Sequence, residues 1–190
     1  MNTVLKINVQ ELDSKFVENL KKEYSDSELE IIVHDQLEPV PSFTDSDFWQ
    51  IIDLLDWSEE GNDEKTVEPV ISALEQMPLA NIYRFLDILS EKLWQLDTRK
   101  HAKVFLDDPE EEGYLSVDDF LYARCAVVAN GKQYYDDVLL HPGKMPKDLT
   151  FEPLLFVASH AYKRKTGKDF MSQPSMSYET YSNKEGWVNR

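Results

Sequence analysis

Apolar positions change rhythm near residue 40. Over residues 3–9, TVLKINV alternates apolar and polar side chains, with Val4 out of phase with Leu5, Ile7 and Val9. That near-two-residue period predicts a short strand. Residues 28–34, ELEIIVH, place Leu29, Ile31 and Val33 on one face and predict a second strand. Between them Asp13 or Ser14 caps a predicted helix in which Phe16, Val17, Leu20 and Tyr24 recur at helical spacing. The expectation for residues 1–36 is a strand–helix–strand unit. Two strands and one helix bury little, and their sheet edges are open. Packing on the rest of the chain or on a second copy would cover them; a homodimer formed through this unit is expected.

Residues 37–44 contain Pro39 and Pro41 and read as a linker, because each proline removes a donor and restricts its predecessor. Residues 45–168 then read as a helical domain. Thr44 with Asp47 three positions on is a capping-box-like start, followed by Phe48, Trp49, Ile51, Ile52 and Leu55 in a helical stripe. Residues 57–66 read as a polar loop, and Thr66 as the cap of a helix over 67–76 with Pro69 in its first turn. Pro78 opens the longest helix, with Leu79, Ile82, Phe85, Leu86, Leu89, Leu93 and Trp94 inward. A short helix is expected over 99–106. Ser116 with Asp119 caps VDDFLYARCAVVAN, which Gly131 ends, and Pro142 stops the segment after it. Residues 151–165 form the last expected helix, closing on Lys163, Arg164 and Lys165 before Gly167, where cations suit the helix dipole. The Ser-rich tail, residues 169–190, carries Tyr178, Tyr181 and Trp187 and predicts irregular chain. The fold class is thus mainly α: a multi-helix globular domain behind a small β-α-β unit, α+β overall.

Composition narrows the function. Thirty-six Asp and Glu against 20 Lys and Arg give a net charge of −16 over 190 residues. With 42% hydrophobic and 12% aromatic residues the chain can build a core. The acidity is concentrated. Residues 26–119 carry 25 acids and six bases, whereas residues 1–25 are neutral and residues 120–190 are net +3. A general nucleic-acid binder needs Lys and Arg to displace counterions, so nucleic acid is not an expected partner. There is no stretch of roughly 20 apolar residues and no basic-then-apolar leader, so no membrane association is expected. A single cysteine fits a reducing cytoplasm. The densest acidic run is Asp107, Asp108, Glu110, Glu111 and Glu112, continuing to Asp118 and Asp119 with no base between Lys103 and Arg124. It reads either as a solvated loop and helix start or as an acidic face for a basic protein partner.

Chemistry finds little to work with. His34, His101, His141 and His160 form no i/i+4 pair, and DDPEEEG fails as a calcium loop, with Pro109 at the third position and Glu112 where the turn glycine belongs. No metal site and no cofactor are expected. Cys125, between Arg124 and Ala126, reads as a buried thiol; catalysis would require His160 or His141 beside it. There is no nucleophile elbow, P-loop or dinucleotide fingerprint. Adjacent Asp118/Asp119 and Asp136/Asp137 point about 100° apart on a helix, so neither pair faces one site. Arg124, mid-helix among apolar neighbours, needs a partner: Asp53 or Asp119 in a structural ion pair, or an anionic ligand. The aromatic residues mostly fit packing stripes. A cleft, if formed, would combine Trp49, Arg124, Tyr135 and Tyr162 as ligand-binding residues.

Three blocks carry a resemblance: FWQIIDLLDW, YLSVDDFLYARCAVVANGKQYYDDVLLHPGKM and LLFVASHAYKRKTGKDF. Over about residues 45–170 the chain resembles the bacterial family known as domain of unknown function 4240. The matching positions are Phe48, Trp49, Ile52 and Asp53; Asp118, Asp119, Phe120 and Arg124; Gly131, Lys132 and Tyr135; and Tyr162, Lys165, Thr166 and Gly167. Departures occur at Ala123, at His141-Pro142-Gly143, and in the acidic loop. The resemblance implies a helical cytoplasmic domain without an established activity. The expected function is a non-catalytic protein-binding module with an acidic face, of inhibitor, antitoxin or immunity type. The alternative is a small-molecule sensor or enzyme with a cleft around Arg124.

Overall fold

Thr44, Asn62, Thr98 and Ser116 each accept a backbone N–H from the first turn of a helix, and these caps mark where four helices of the larger unit begin. The computed structural model describes Ile7 and residues 12–27, 29, 31–32, 43–59, 61–107 and 114–188. The chain divides into two units, Met1–Val40 and Pro41–Arg190.

In the first unit, α1 spans Ser14–Glu23, with Asp13 as its cap through Phe16 N. None of its residues is buried. The described residues contain no strand. The expected strand over 3–9 lies outside them apart from Ile7. Of residues 28–34, Leu29, Ile31 and Ile32 are described; they are not in a strand and stand 64%, 68% and 66% exposed. Apolar alternation specifies a strand only where a ladder partner and a covered face exist, and these residues have no covered face. The β-α-β expectation is therefore unsupported, and the described fold is mainly α.

The larger unit contains α2 (Asp45–Ile52), α3 (Asp63–Gln76), α4 (Leu79–Leu96), α5 (Arg99–Leu106), α6 (Val117–Ala129), α7 (Lys132–Leu140), α8 (Val157–Thr166) and the short α9 (Lys184–Trp187). Among the described residues the 3-10 turns Trp57–Glu59, Pro142–Lys144 and Glu152–Phe156 join them. α6 is the central helix. Apart from Tyr122, every residue from Phe120 to Ala129 is buried, because its sequence is apolar nearly all round rather than on one stripe. α4, α5, α7 and the Glu152–Phe156 turn pack around it, and α8 lies against both α3 and α4. Phe48, Phe85, Phe120, Leu89, Leu93 and Val127 are among the core side chains with almost no exposure.

Thr44 and Asp47 complete a full capping box. α3 starts earlier than Thr66, since Asn62 is a competent cap and Asp63 and Glu64 suit the positive end of the dipole. Pro69 consequently lies inside the helix. Residues 151–165 are not one helix: Pro153 falls at the start of a 3-10 turn that runs into α8. Gly131 takes φ 89°, and a Cβ there would sit 3.4 Å from an Asp53 carboxylate oxygen. Two of the recognised sequence blocks therefore meet at that glycine.

Candidate functional site

The central helix carries a buried cation. Arg124 is fully buried on α6, and its Nη1 donates to the carbonyls of Leu93 at 2.9 Å and Tyr178 at 3.0 Å. Nη2 donates to the Thr180 hydroxyl at 2.9 Å, and that hydroxyl donates onward to Val117 O at 2.7 Å. The guanidinium lies 4.9 Å over the Phe120 ring. Nε has no hydrogen-bond partner among the described residues. Burial pulls the arginine below its ordinary pKa, opposed chiefly by the Asp97 carboxylate. The expected ion pair with Asp53 or Asp119 is replaced by oxygens of the chain's last segment. Carbonyls and one hydroxyl take the terminal nitrogens directly, while the buried Asp97 carboxylate acts on the charge without a direct hydrogen bond to it.

Asp97, at the end of α4, organises that last segment. It is fully buried and accepts four hydrogen bonds: Tyr181 N at 3.1 Å, Trp187 Nε1 at 2.9 Å, Asn183 N at 2.9 Å and Ser182 Oγ at 3.3 Å. Tyr181 takes φ 72°, uncommon for an aromatic residue, in donating its N–H there. Asn183 adds a side-chain bond to Trp94 O. At Gly186 a Cβ would come within 2.8 Å of the Thr98 side chain and 3.0 Å of Asp97 O, so only glycine lets α9 sit this close. Within the tail read from sequence as irregular chain, residues 178–187 thus cover the ends of α4 and α6. Neither Asp97 nor Thr180 stood out in the sequence; the aromatic residues of the tail were the available signal.

The four candidate ligand-binding residues fall into separate groupings. Trp49 and Tyr135 are both buried and meet at 5.2 Å between ring centroids. Lys92 lies 6.0 Å from the first ring and 5.8 Å from the second, and pairs with Asp45, which also accepts the Trp49 indole N–H. The Tyr135 hydroxyl donates to Gln95 Oε1 at 2.6 Å, and burial raises that phenol strongly. Arg124 packs on Phe120 instead. Tyr162 packs on Tyr83 and Phe170. A separate groove is lined by none of the four.

That groove, of about 360 Å³, lies between α6, the Glu152–Phe156 turn, α8 and the C-terminal segment. Leu86, Leu121, Leu155, Phe156 and Phe170 give it an apolar lining, and Asp118, Glu152 and Glu179 stand exposed in it. Among the described residues no Lys, Arg or His lines it. Interaction with the Glu152 carboxylate, and with the charges of Asp118 and Asp119, raises the Tyr122 phenol above its usual range. Of the expected acidic face, Asp107 caps α5 with φ 53° and pairs with Lys147. Asp108, Glu110, Glu111 and Glu112 lie outside the described residues.

Among the described residues no group of three His, Cys, Asp or Glu could hold a metal ion, and no helix is long and apolar enough to cross a membrane. Cys125 is fully buried, and desolvation pushes its thiol up to about 12, far from a thiolate at neutral pH. His101 is buried too, its ring between the Thr98 hydroxyl and Val138 O.

A model of the family described as "Protein of unknown function (DUF4240)" matches residues 43–164. No curated protein and no solved structure matches the chain.

Proposed function

The chain belongs to the DUF4240 family, and we propose that it is a non-catalytic, cytoplasmic protein-binding module whose acidic face meets a basic protein partner, as an inhibitor, antitoxin or immunity protein would. The observation that carries this reading is the charge distribution: 25 acids against six bases over residues 26–119. Such a field raises the rate of encounter with a basic surface more than it raises affinity. The alternative, a sensor or enzyme with its cleft at Arg124, is the weaker one. The two terminal nitrogens of that guanidinium already donate to Leu93, Tyr178 and Thr180, and the whole side chain is buried. A homodimer through the first unit belongs to the same proposal, because α1 buries none of its residues and Leu29, Ile31 and Ile32 stand open.

The test uses lysozyme as a basic probe protein, with association rates measured from low to high salt. Binding should be fast at low salt and fade as the Debye length falls below about 8 Å. Reversing Glu110, Glu111 and Glu112 to Lys should slow association by about tenfold. Rates indifferent to that reversal would remove the acidic-face reading.

A further inference from the structure

We infer that the groove beside Tyr122 seats a lysine- or arginine-bearing apolar segment of a basic protein, with the aliphatic stem of the cation on Leu121 and Phe156 and its charged head among Asp118, Glu152 and Glu179. The inference rests on the acidic-face reading and gives that partner a second, specific foothold.

Three observations converge on this occupant. The first is charge without compensation. Seven acids of the larger unit, Glu59, Glu68, Asp45, Asp107, Asp136, Asp137 and Asp169, have a Lys or Arg within 4.0 Å, while others such as Asp53, Glu75 and Asp87 stand singly. Asp118, Glu152 and Glu179 have no such cation among the described residues, and the groove contributes none of its own. What sets the groove apart is that three unpaired carboxylates share one apolar-lined space. The second is the lining. Phe156 is 46% exposed on one wall, while Leu121 is buried in the floor. An apolar floor under a carboxylate rim suits a side chain that buries its methylenes and keeps its charge at the edge. The third is size. At about 360 Å³ the space is near the lower limit of ordinary ligand sites, roughly 300–1,000 Å³. That is room for one or two long side chains and too little for a whole helix. An acidic nucleic-acid backbone is repelled by the same rim.

The probes are a fluorescein-labelled peptide alternating leucine and lysine, its leucine–glutamate counterpart, and spermine. Binding to the full chain is read by fluorescence anisotropy and located by amide chemical-shift changes. The leucine–lysine peptide should bind and shift the amides of Tyr122, Leu155, Phe156 and Glu179; its acidic counterpart should not bind. The double variant Glu152→Gln, Glu179→Gln should lose about tenfold in affinity with an unchanged melting temperature. Phe156→Ser should also weaken binding. Unchanged binding in these variants, while the Glu110, Glu111 and Glu112 reversal abolishes it, overturns the groove and leaves the acidic face standing. If neither set of changes matters, both readings fail. Spermine binding as tightly as the peptide would show that charge alone is read, which overturns an apolar segment as the occupant.

Discussion

The indole N–H of Trp187 donates to the carboxylate of Asp97 at 2.9 Å, across 90 positions of sequence. With the bonds from Tyr181, Ser182 and Asn183, this makes one buried carboxylate the anchor of an entire terminal segment. The same segment returns two oxygens to Arg124. A polar pair of sites, Asp97 and Arg124, therefore fastens a stretch whose Phe170, Tyr178 and Trp187 also pack against the core.

Asp97→Ala should destabilise the larger unit by about 3 kcal/mol, since the buried Asn183 N–H and the part-buried Tyr181 N–H and Trp187 indole N–H lose their acceptor together. Urea unfolding monitored by tryptophan fluorescence measures it. Gly186→Ala should cost about 1–3 kcal/mol by a separate route, the methyl group pressing on Thr98 and on Asp97 O. A double variant should be less damaged than the sum, because both changes release the same segment.

Arg124→Met removes the buried charge but leaves the Leu93 and Tyr178 carbonyls unpaired. A loss of about 2–4 kcal/mol is expected, with Arg124→Lys recovering only part, because an ammonium cannot reproduce the planar fork. Equal stability in all three proteins would show that these hydrogen bonds carry no net weight.

His101 predicts a pH dependence. Burial, the largest influence, lowers its pKa below the ordinary 6.5. The unfolded chain then takes up a proton at a pH where the folded chain does not. Stability should fall as pH drops below about 6.5 and stop falling, for this group, below its folded pKa. His101→Gln should flatten that part of the profile in denaturation curves taken between pH 7 and 5. The Glu68–Arg164 pair acts lower: Glu68, hydrogen-bonded by Arg164, is held at about 2, so its contribution is complete above 4.5 and lost toward 2. Both side chains are more than 40% exposed, and solvent screening keeps the pair to about 0.5 kcal/mol.

Cys125 should resist thiol reagents. Native protein at pH 8 is expected to show no reaction with a chromogenic disulfide over minutes, and one thiol per chain on adding denaturant. Immediate labelling of the native protein would mean that α6 opens.

Removing residues 1–36 tests the first unit. Sedimentation should show a dimer for the whole chain and a monomer for the shortened one. A dimer that survives the deletion refutes that interface.

The helices were legible where a physical rule had one solution. Thr44 with Asp47, Ser116 with Asp119, and Gly167 after three cations each marked a helix end that the structure contains. Thr66 misled because Asn62, four residues earlier, could also cap, and the acids behind it favoured the earlier start. Leu29 and Ile31 keep the two-residue spacing of a strand but stand exposed. Arg124 was visible as an anomaly, an arginine in an apolar helix, while its partners were not. Carbonyls leave no mark in a sequence, and Thr180 is one polar residue in a polar tail. The acidic groove was equally hidden, since Asp118, Glu152 and Glu179 come from three separate segments and meet only through packing.

The reach of the terminal segment also orders events during synthesis. α4 and α6 can associate as soon as residue 129 has been made, yet Arg124 then waits for acceptors 54 and 56 positions ahead, and Asp97 for donors 84–90 positions ahead. At roughly 5–20 residues per second that interval lasts several seconds. During it the guanidinium has only the Leu93 carbonyl, and the Asp97 carboxylate has none of its tail donors. Stop codons in the last dozen codons should therefore leave a chain with most of its hydrophobic core that is nevertheless cleared by proteases.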